Sequence, residues 1–328
     1  MVLLGPQRHR PTVGGVLDDL GVEGPVAVVS SGWEERETEL DELARHLEPD
    51  RRPLVPLDLF TRAERILESD GDFAAAWRRR RLVWNRLARV HRVRVNAAIE
   101  VVQALAAEPA SPMREAEIED AIAHVARLDD RHHARIAALL DEFDEDERPA
   151  ERPAVRRELD AVAALLEGTG GLLVAGGDVG VLHRTLRLFG LPAARATATG
   201  APVPVVAWSA GAMALSSRIV LFHDRPPQGF THAEVHGPGM GVVPGLVLLP
   251  HARHRLALDD AQRVSILAGR LAGRLAPLAG VTLDEGARID LAGTRVVRTE
   301  AVGRLHADGA VRPLAPGSIT PPSAEAAA

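Results

Sequence analysis

Three short segments place side chains with catalytic potential directly after runs of apolar residues. The segments are Gly176-Gly177-Asp178, Trp208-Ser209-Ala210-Gly211 and Pro250-His251. Open α/β folds build their sites at the carboxyl ends of parallel strands. A serine beside a histidine can attack a carbonyl carbon, because the imidazole accepts the hydroxyl proton at neutral pH. The three segments therefore predict nucleophilic chemistry at one edge of a sheet.

Ser209 is the predicted nucleophile. An apolar run over Pro204–Ala207 stops abruptly at Trp-Ser-Ala-Gly-Ala, and a helix-prone run follows. A buried strand that turns sharply into a helix gives this pattern, and the serine hydroxyl then projects from the corner. An ordinary helix that begins with a serine N-cap gives the same local pattern. The segment by itself leaves both interpretations open.

His251 is the predicted general base and Asp224 the predicted acid that orients it. A catalytic imidazole needs an acceptor on its second ring nitrogen, and Asp224 precedes His251 in the same part of the chain. The backbone N–H groups of Gly177 and Ala210 are the predicted oxyanion hole. Each assignment has a simpler alternative: Asp178 after Gly177 is an N-cap, His251 is a surface histidine, and Asp224 is a turn residue.

Alternating strand and helix patterns predict the elements that carry these segments. Strands are indicated at Pro25–Ser30, Gly171–Ala175, Pro202–Ala207 and Leu246–His251. Helical patterns between them are typical of a parallel sheet with crossover helices. We expect an α/β fold, a flavodoxin-like three-layer sandwich with a mainly parallel sheet and a small C-terminal β appendix. Two further predictions are a helix over Glu34–Leu47 and a loop over His223–Gly245.

The segment over residues 61–149 lacks strand patterns and predicts a helical insertion. Two long helices are expected over Phe73–Ala107 and Met113–Phe143, with a short proline-containing link between them. Such a pair forms an antiparallel hairpin. The predicted organisation is a discontinuous α/β domain over residues 1–60 and 150–315, the inserted hairpin, and a disordered tail over 316–328.

Composition excludes several other classes of protein and site. The 328 residues include no cysteine, which excludes disulfides, thiolate metal ligands and a cysteine nucleophile. A net charge of −6 gives no overall attraction to nucleic acid, and the arginine run at 78–81 is interpreted as a solvated or paired helix face. The histidines match no zinc motif, so neither a metal nor a cofactor is expected. With no membrane-spanning stretch and no signal-peptide pattern, a cytoplasmic location is expected.

Taken in order, these motifs resemble those of the peptidase S51 family, which contains dipeptidase E and cyanophycinase. They map onto Gly176-Gly177-Asp178, Ala207–Gly211 and Pro250-His251. The resemblance covers Gly171 to about Asp284 well and Pro25–Leu57 loosely. It implies the class I glutamine amidotransferase-like fold, with a serine in place of the amidotransferase cysteine.

The resemblance also implies roles for individual residues. The family's nucleophile falls on Ser209, its base on His251 and, in the dipeptidase branch, its acid on Asp224. Ala207 stands where the family motif usually has glycine, and Asp178 stands where an amide side chain is common. A carboxylate at Asp178 opposes specificity for acidic substrates, because like charges repel.

The leading hypothesis is serine-dependent hydrolysis of a small peptide or another amide, without a metal. The predicted substrate-binding residues are Asp178, Trp208, Arg225 and Arg253, and the arginines are suited to carboxylate recognition. The alternative is a non-catalytic binding or regulatory protein on the same fold, which acts through the helical insertion. A homodimer or a partner on the insertion is also expected, with neither nucleic acid nor membrane as a partner.

Overall fold

The computed structural model describes residues 1–47, 52–191, 203–222, 233–256 and 270–318. Its strands are β1 Val2–Leu4, β2 Val26–Val29, β3 Leu54–Pro56, β4 Gly171–Val174, β5 Val205–Trp208, β6 Arg218–Leu221, β7 Glu234–Pro238, β8 Leu246–Pro250, β9 Ala279–Leu283, β10 Arg288–Ala292, β11 Arg295–Glu300, β12 Gly303–Leu305 and β13 Val311–Pro313. Its helices are α1 Val13–Asp19, α2 Asp41–His46, α3 Leu59–Ser69, α4 Gly71–Ala107, α5 Pro112–Glu147, α6 Pro153–Leu166, α7 Val179–Leu188, α8 Ala210–Leu215 and α9 Ala252–Arg255.

The main sheet has seven strands in the order β11-β10-β1-β5-β4-β2-β3. The five strands from β1 to β3 in that order are parallel, and β10 and β11 extend the sheet in antiparallel fashion. The succession β3-β2-β4-β5 follows the doubly wound pattern, in which a site lies where the strand order reverses. That reversal falls between β2 and β4. The mainly parallel α/β sheet was therefore predicted correctly.

Side chains alternate between the two faces of this sheet, and each face is covered by helices. In β5, Val206 and Trp208 pack with α1 and α2, whereas Val205 and Ala207 pack with the helices of the opposite face. Period-two alternation in a strand buried on both sides gives this near-continuous apolar run. The result is a three-layer α/β/α arrangement, as expected from the alternating patterns.

The C-terminal part of the chain departs from the expectation. β8 was expected to end at the same parallel sheet edge as β5, but it belongs to a separate four-stranded sheet of order β13-β12-β9-β8. The position beside β1 is taken instead by β10, so the predicted appendix contributes two strands to the main sheet. The expected loop over 223–245 contains β7, which pairs with β6.

The expected helix over 34–47 is also interrupted. A 3-10 turn occupies Ser31–Arg36, and α2 begins only at Asp41. Glu34 has φ 56° and ψ −125°, which no α-helix can contain. The apolar spacing that predicted one helix therefore belongs to two short elements on either side of a sharp turn.

The two long helices α4 and α5 pack against each other as a hairpin, and its base is part of the main core. The rings of Phe73, Trp77 and Phe143 lie 5.7 to 5.9 Å apart in a three-way aromatic contact. α3 precedes the hairpin and also buries Leu59 and Ile66 in the main core. Polar N-caps fix the starts of α4 and α5. The side chains of Asp70 and Ser111 accept hydrogen bonds from backbone N–H groups in the first turn of each helix.

A buried ion pair fixes the middle of the hairpin to the body of the molecule. Asp129 is fully buried and accepts hydrogen bonds from Arg274 Nε at 2.9 Å and Nη2 at 3.2 Å. His91 Nε2 lies 3.2 Å from the same carboxylate, and its ring stacks on His132. Burial acts to raise the pKa of Asp129, but His91 and Arg274 hold this pKa below its ordinary value.

None of the helices in the described ranges combines the length and the apolar character that a transmembrane segment needs.

Candidate functional site

Ser209 lies at the corner between β5 and α8 in a strained backbone conformation, with φ 51° and ψ −122°. Such a conformation is unfavourable for a residue with a Cβ atom. Close packing enforces the turn, because a Cβ atom at Gly211 would meet the carbonyl oxygens of Val174 and Ala175. The strand and helix can approach this closely only where the chain has small residues, as the sequence pattern required.

The alternative of an ordinary N-cap does not describe Ser209. Its side chain forms no capping hydrogen bond to α8. The Ser209 N–H donates to Leu4 O at 3.1 Å, which fixes the corner against the end of β1. A Cβ atom at Gly176 would lie 3.1 Å from Ser209 Cβ and 3.4 Å from Oγ. The Gly176 turn therefore lies directly against the half-buried serine.

The two backbone amides predicted for the oxyanion hole belong to residues that directly follow Gly176 and Ser209 in the chain. Ala210 begins α8, so its N–H has no acceptor within the helix. Gly177 has φ 132°, and a Cβ atom there would collide with the Gly32 carbonyl group. Among the backbone hydrogen bonds of turns, loops and helix ends in the described ranges, neither of these two N–H groups is a donor. Both amides follow the ends of neighbouring parallel strands, β4 and β5.

Asp178 acts as the N-cap of α7. Its Oδ1 accepts a hydrogen bond from Val181 N at 2.8 Å, and its own N–H donates to Gly32 O at 2.8 Å. The simpler interpretation of Asp178, a helix N-cap, is therefore correct. The residue is also exposed, so it is accessible to a ligand. A Cβ atom at Gly180 would lie 3.2 Å from Asp178 Oδ1 and 3.4 Å from Arg184 Nη1. The carboxylate and this guanidinium therefore lie on the same side of α7.

Arg184 and Glu34 are charged residues near this turn that the sequence patterns did not single out. Burial lowers the pKa of Arg184, and the negative charges of Asp178 and Glu34 partly oppose that effect. Glu34 has nearly the same strained dihedral angles as Ser209. No motif signals such a conformation in a charged residue.

His251 follows β8 in a left-handed conformation, with φ 56° and ψ 31°, and is exposed. β8 lies in the four-stranded sheet, whereas Ser209 follows a strand of the main sheet. A series of contacts between strand ends nevertheless connects the end of β8 with Ser209. Leu4 pairs with Trp208, Gly5 contacts the Asp284 carbonyl group, and Pro250 pairs with Leu283.

Ser209, Gly5, Asp284 and His251 therefore follow one another across the ends of four strands. In the part of the chain that is described, the hydrogen bonds of Ser209 are made by its backbone, to Leu4 O and from Met213 N.

Asp284 is a carboxylate that the sequence analysis did not propose. The parallel register of β8 and β9 puts it directly beside His251. Its Oδ1 accepts a hydrogen bond from Arg253 N at 2.9 Å. The signal that identified the other candidates was present here too, because Asp284 directly follows the apolar run at 281–283.

The remaining predicted residues divide into three groups. Asp224 and Arg225 lie outside the described residues. Trp208 is 6% exposed and packs in the core on the α1 and α2 face, which leaves little of its surface for a ligand. Arg253 is exposed near Asp284.

Among the described side chains, no three His, Asp or Glu residues are grouped as metal ligands.

Comparison with known proteins assigns no family. No family model matches the chain, and no curated protein matches it. Among solved structures, one that is similar is the crystal structure of a peptidase from an acI-B1 Actinobacterium, with 14% sequence identity and a TM-score of 0.43. The match covers 98% of this chain and 95% of that one. Similarity at this level assigns no activity to the present chain.

Proposed function

We propose that the protein is a serine-dependent hydrolase of peptide or other amide bonds, similar in its chemistry to the S51 peptidases. The observation that carries the proposal is the strained backbone of Ser209 at the strand-to-helix corner. Strain of this kind costs about 1–3 kcal/mol and persists where the surrounding structure enforces it, often at functional sites. A serine held in this conformation with no capping role is suited to nucleophilic attack.

The proposed reaction begins with attack of Ser209 Oγ on the carbonyl carbon of the substrate. His251 takes the hydroxyl proton, and the N–H groups of Gly177 and Ala210 stabilise the negative oxygen of the tetrahedral intermediate. The C–N bond then breaks, and His251 gives its proton to the leaving amine. Water repeats the sequence on the acyl-enzyme and releases the acid. His251 must approach Ser209 when substrate binds, because catalytic contacts often tighten only in the complex.

Two carboxylates are candidates for the residue that orients His251. Asp284 is supported by its register position beside His251. Asp224 is supported by the family resemblance. We favour Asp284, since its side chain is held by the Arg253 amide and a fixed carboxylate can fix the imidazole. Asp178 and Arg253 remain the proposed substrate-binding residues, and the charge of Arg184 reduces the repulsion that Asp178 exerts on an anionic group.

The test is covalent labelling with a fluorophosphonate probe, followed by intact-mass measurement. We expect one adduct on the unmodified protein, none on Ser209→Ala, and labelling slowed at least about a hundredfold in His251→Ala. Asp284→Asn keeps the acceptor for Arg253 N–H but removes the charge, so it is expected to slow labelling more than Asp224→Asn does. Ser69→Ala, at the end of α3, serves as the serine control and should label normally.

Labelling of folded Ser209→Ala at the rate of the unmodified protein would contradict the mechanism. Slower labelling of Asp224→Asn than of Asp284→Asn would assign the orienting role to Asp224 instead. Circular dichroism of every variant separates loss of reactivity from loss of fold.

A second candidate function is a non-catalytic binding protein that acts through the hairpin. It is favoured by large apolar side chains exposed on α4 and α5: Leu82, Val93, Val101 and Met113 are between 53% and 75% exposed. Exposed apolar surface often marks an interaction site. This function predicts that the folded, unmodified protein takes no label, and that alanine substitutions at these four positions remove binding without affecting Ser209.

A further inference from the structure

A cavity of about 580 Å³ lies between the base of the hairpin and helices α6 and α7. Its apolar walls come from Trp77, Leu140, Phe143, Leu159, Leu188 and Phe189. The volume is within the range of small-molecule sites, which are mainly apolar with a few polar groups that fix the ligand. The described residues that line it exclude Ser209 and the 176–178 turn, and Arg184 is the lining residue that lies nearest to the surroundings of Asp178.

Arg80 provides an unusual positive charge in this cavity. It is only 9% exposed, and its guanidinium lies 4.1 Å from the ring centroid of Trp77 and 3.9 Å from that of Phe143. Burial lowers the pKa of Arg80 to about 10, which leaves it charged at neutral pH. Among the described residues it forms neither a hydrogen bond nor an ion pair. Two aromatic rings therefore contact the guanidinium, and its N–H groups have no acceptor among the described residues.

Asp144, the acidic residue whose charge acts on Arg80, is already paired. Asp144 Oδ2 accepts a hydrogen bond from Arg187 Nε at 2.9 Å, and Arg187 also binds Asp141 at 2.8 Å. Arg184 lines the cavity as well, and no described carboxylate lies within ion-pair distance of it. Burying a charge without a partner is costly. Of the four arginines that line the cavity, Arg80 and Arg184 have no ion-pair partner among the described residues, and together they create a place where an anion would be stabilised.

We propose that this cavity binds a small organic oxyanion, an apolar body that carries one carboxylate or phosphate group, and that Arg80 and Arg184 recognise its anionic group. The planar guanidinium can donate two parallel hydrogen bonds to either group. The aromatic and aliphatic walls accommodate the apolar body. His183 forms part of the wall at 2% exposure, and burial lowers its pKa to about 3, so it adds no charge at neutral pH.

The test is isothermal titration calorimetry of the full chain with four probes: phenylacetate, phenyl phosphate, the neutral phenylacetamide, and inorganic phosphate. We expect one of the two aromatic anions to bind with one-to-one stoichiometry. The neutral amide and inorganic phosphate should bind at least about tenfold more weakly, because each lacks one of the two recognised parts. The ratio between the two aromatic anions identifies the preferred anionic group.

Variants assign the binding to the cavity. Arg80→Met keeps an apolar side chain against the rings but removes the charge, and it should weaken binding about tenfold to a hundredfold. Arg79→Met changes the exposed neighbour on α4 and should bind normally. If Arg80→Met does not fold, Arg80→Lys and Arg184→Gln carry the test, since both should weaken binding of the anion.

Three results would overturn the proposal: no binding of either aromatic anion, equal binding of phenylacetamide, or equal affinities in the Arg80 and Arg79 variants. The proposal is independent of the hydrolase mechanism. The Ser209→Ala protein should therefore bind the anion with unchanged affinity, even if it takes no probe label.

Discussion

At the scale of single residues, Gly176 determines how Ser209 is held. Its Cα lies so close to the serine that an added Cβ atom would be 3.1 Å from Ser209 Cβ and 3.6 Å from Ala210 N. Real Cβ contacts are rarely so short, so one of the neighbours would have to move by a few tenths of an ångström. Ser209 is fixed by the strained corner and by its hydrogen bond to Leu4. Displacement at this point therefore acts on both the nucleophile and an oxyanion donor.

We predict that Gly176→Ala slows fluorophosphonate labelling about tenfold to a hundredfold, because small errors in the position of reacting groups have large effects on rate. The same change should lower the free energy of unfolding by only about 1–3 kcal/mol, the usual cost of a slightly overfilled site. Labelling kinetics and urea unfolding provide the two measurements.

Gly15→Ala is the matched control, since a Cβ atom at this position in α1 meets no atom within 4 Å. It should leave the labelling rate unchanged and raise the free energy of unfolding by no more than about 1 kcal/mol, because alanine favours a helix more than glycine does. Normal labelling of Gly176→Ala would mean that the serine tolerates displacement and that its strained geometry matters little.

At the scale of elements, the hairpin is stabilised through its base. Phe143 of α5 is 7% exposed and fits between Phe73 and Trp77 of α4. These residues belong to the same apolar cluster as the sheet face that packs against α7. Removing the ring would therefore leave a void that both the hairpin and the body share.

We predict that Phe143→Ala lowers the free energy of unfolding by about 3–5 kcal/mol, as expected for a large aromatic truncation in a core. Leu82→Ala on α4 is the comparison, because Leu82 is 68% exposed and its truncation should change stability by less than about 0.5 kcal/mol. Urea unfolding monitored by circular dichroism measures both. Equal stability of the two variants would mean that the hairpin base contributes little to the fold.

The elements near Ser209 could be predicted because their signals are local. Buried parallel strands give apolar runs, and small residues after β5 mark a tight turn into a helix. The partner of β8 could not be predicted in this way. An apolar run does not encode which strand it pairs with, and β10 rather than β8 occupies the edge beside β1. Asp284 was missed for the same reason, since only the register of β8 and β9 brings it beside His251.

At the scale of the whole molecule, the interface between hairpin and body buries several titratable side chains. Burial lowers the pKa of His132 and of His133 to about 4, and that of His183 to about 3. In an unfolded chain each would have a pKa near 6.5. Above about pH 6.5 both states are neutral, and the contribution of these residues to stability is complete. As the pH falls toward 4, only the unfolded state gains protons, so the free energy of unfolding decreases.

The buried ion pair acts in a different pH window. The pKa of Asp129 lies below its ordinary value, so its contribution is present above about pH 4 and is lost only in stronger acid. A decrease in stability between pH 7 and pH 5 is therefore assigned to the histidines. Each can contribute a slope of up to about 1.4 kcal/mol per pH unit in this window.

We predict that His133→Gln reduces the loss of stability between pH 7 and pH 5. His133 lies near Arg218 and Asp130, and its Nδ1 has no hydrogen-bond partner in the described part of the structure, so a neutral amide can replace it without breaking a bond. His124→Gln, at an exposed position of the same helix, should leave the loss unchanged. Urea unfolding of both variants at the two pH values makes the comparison. An identical pH dependence in the two variants would show that His133 takes up its proton as easily in the folded as in the unfolded state, and that the interface is open to water.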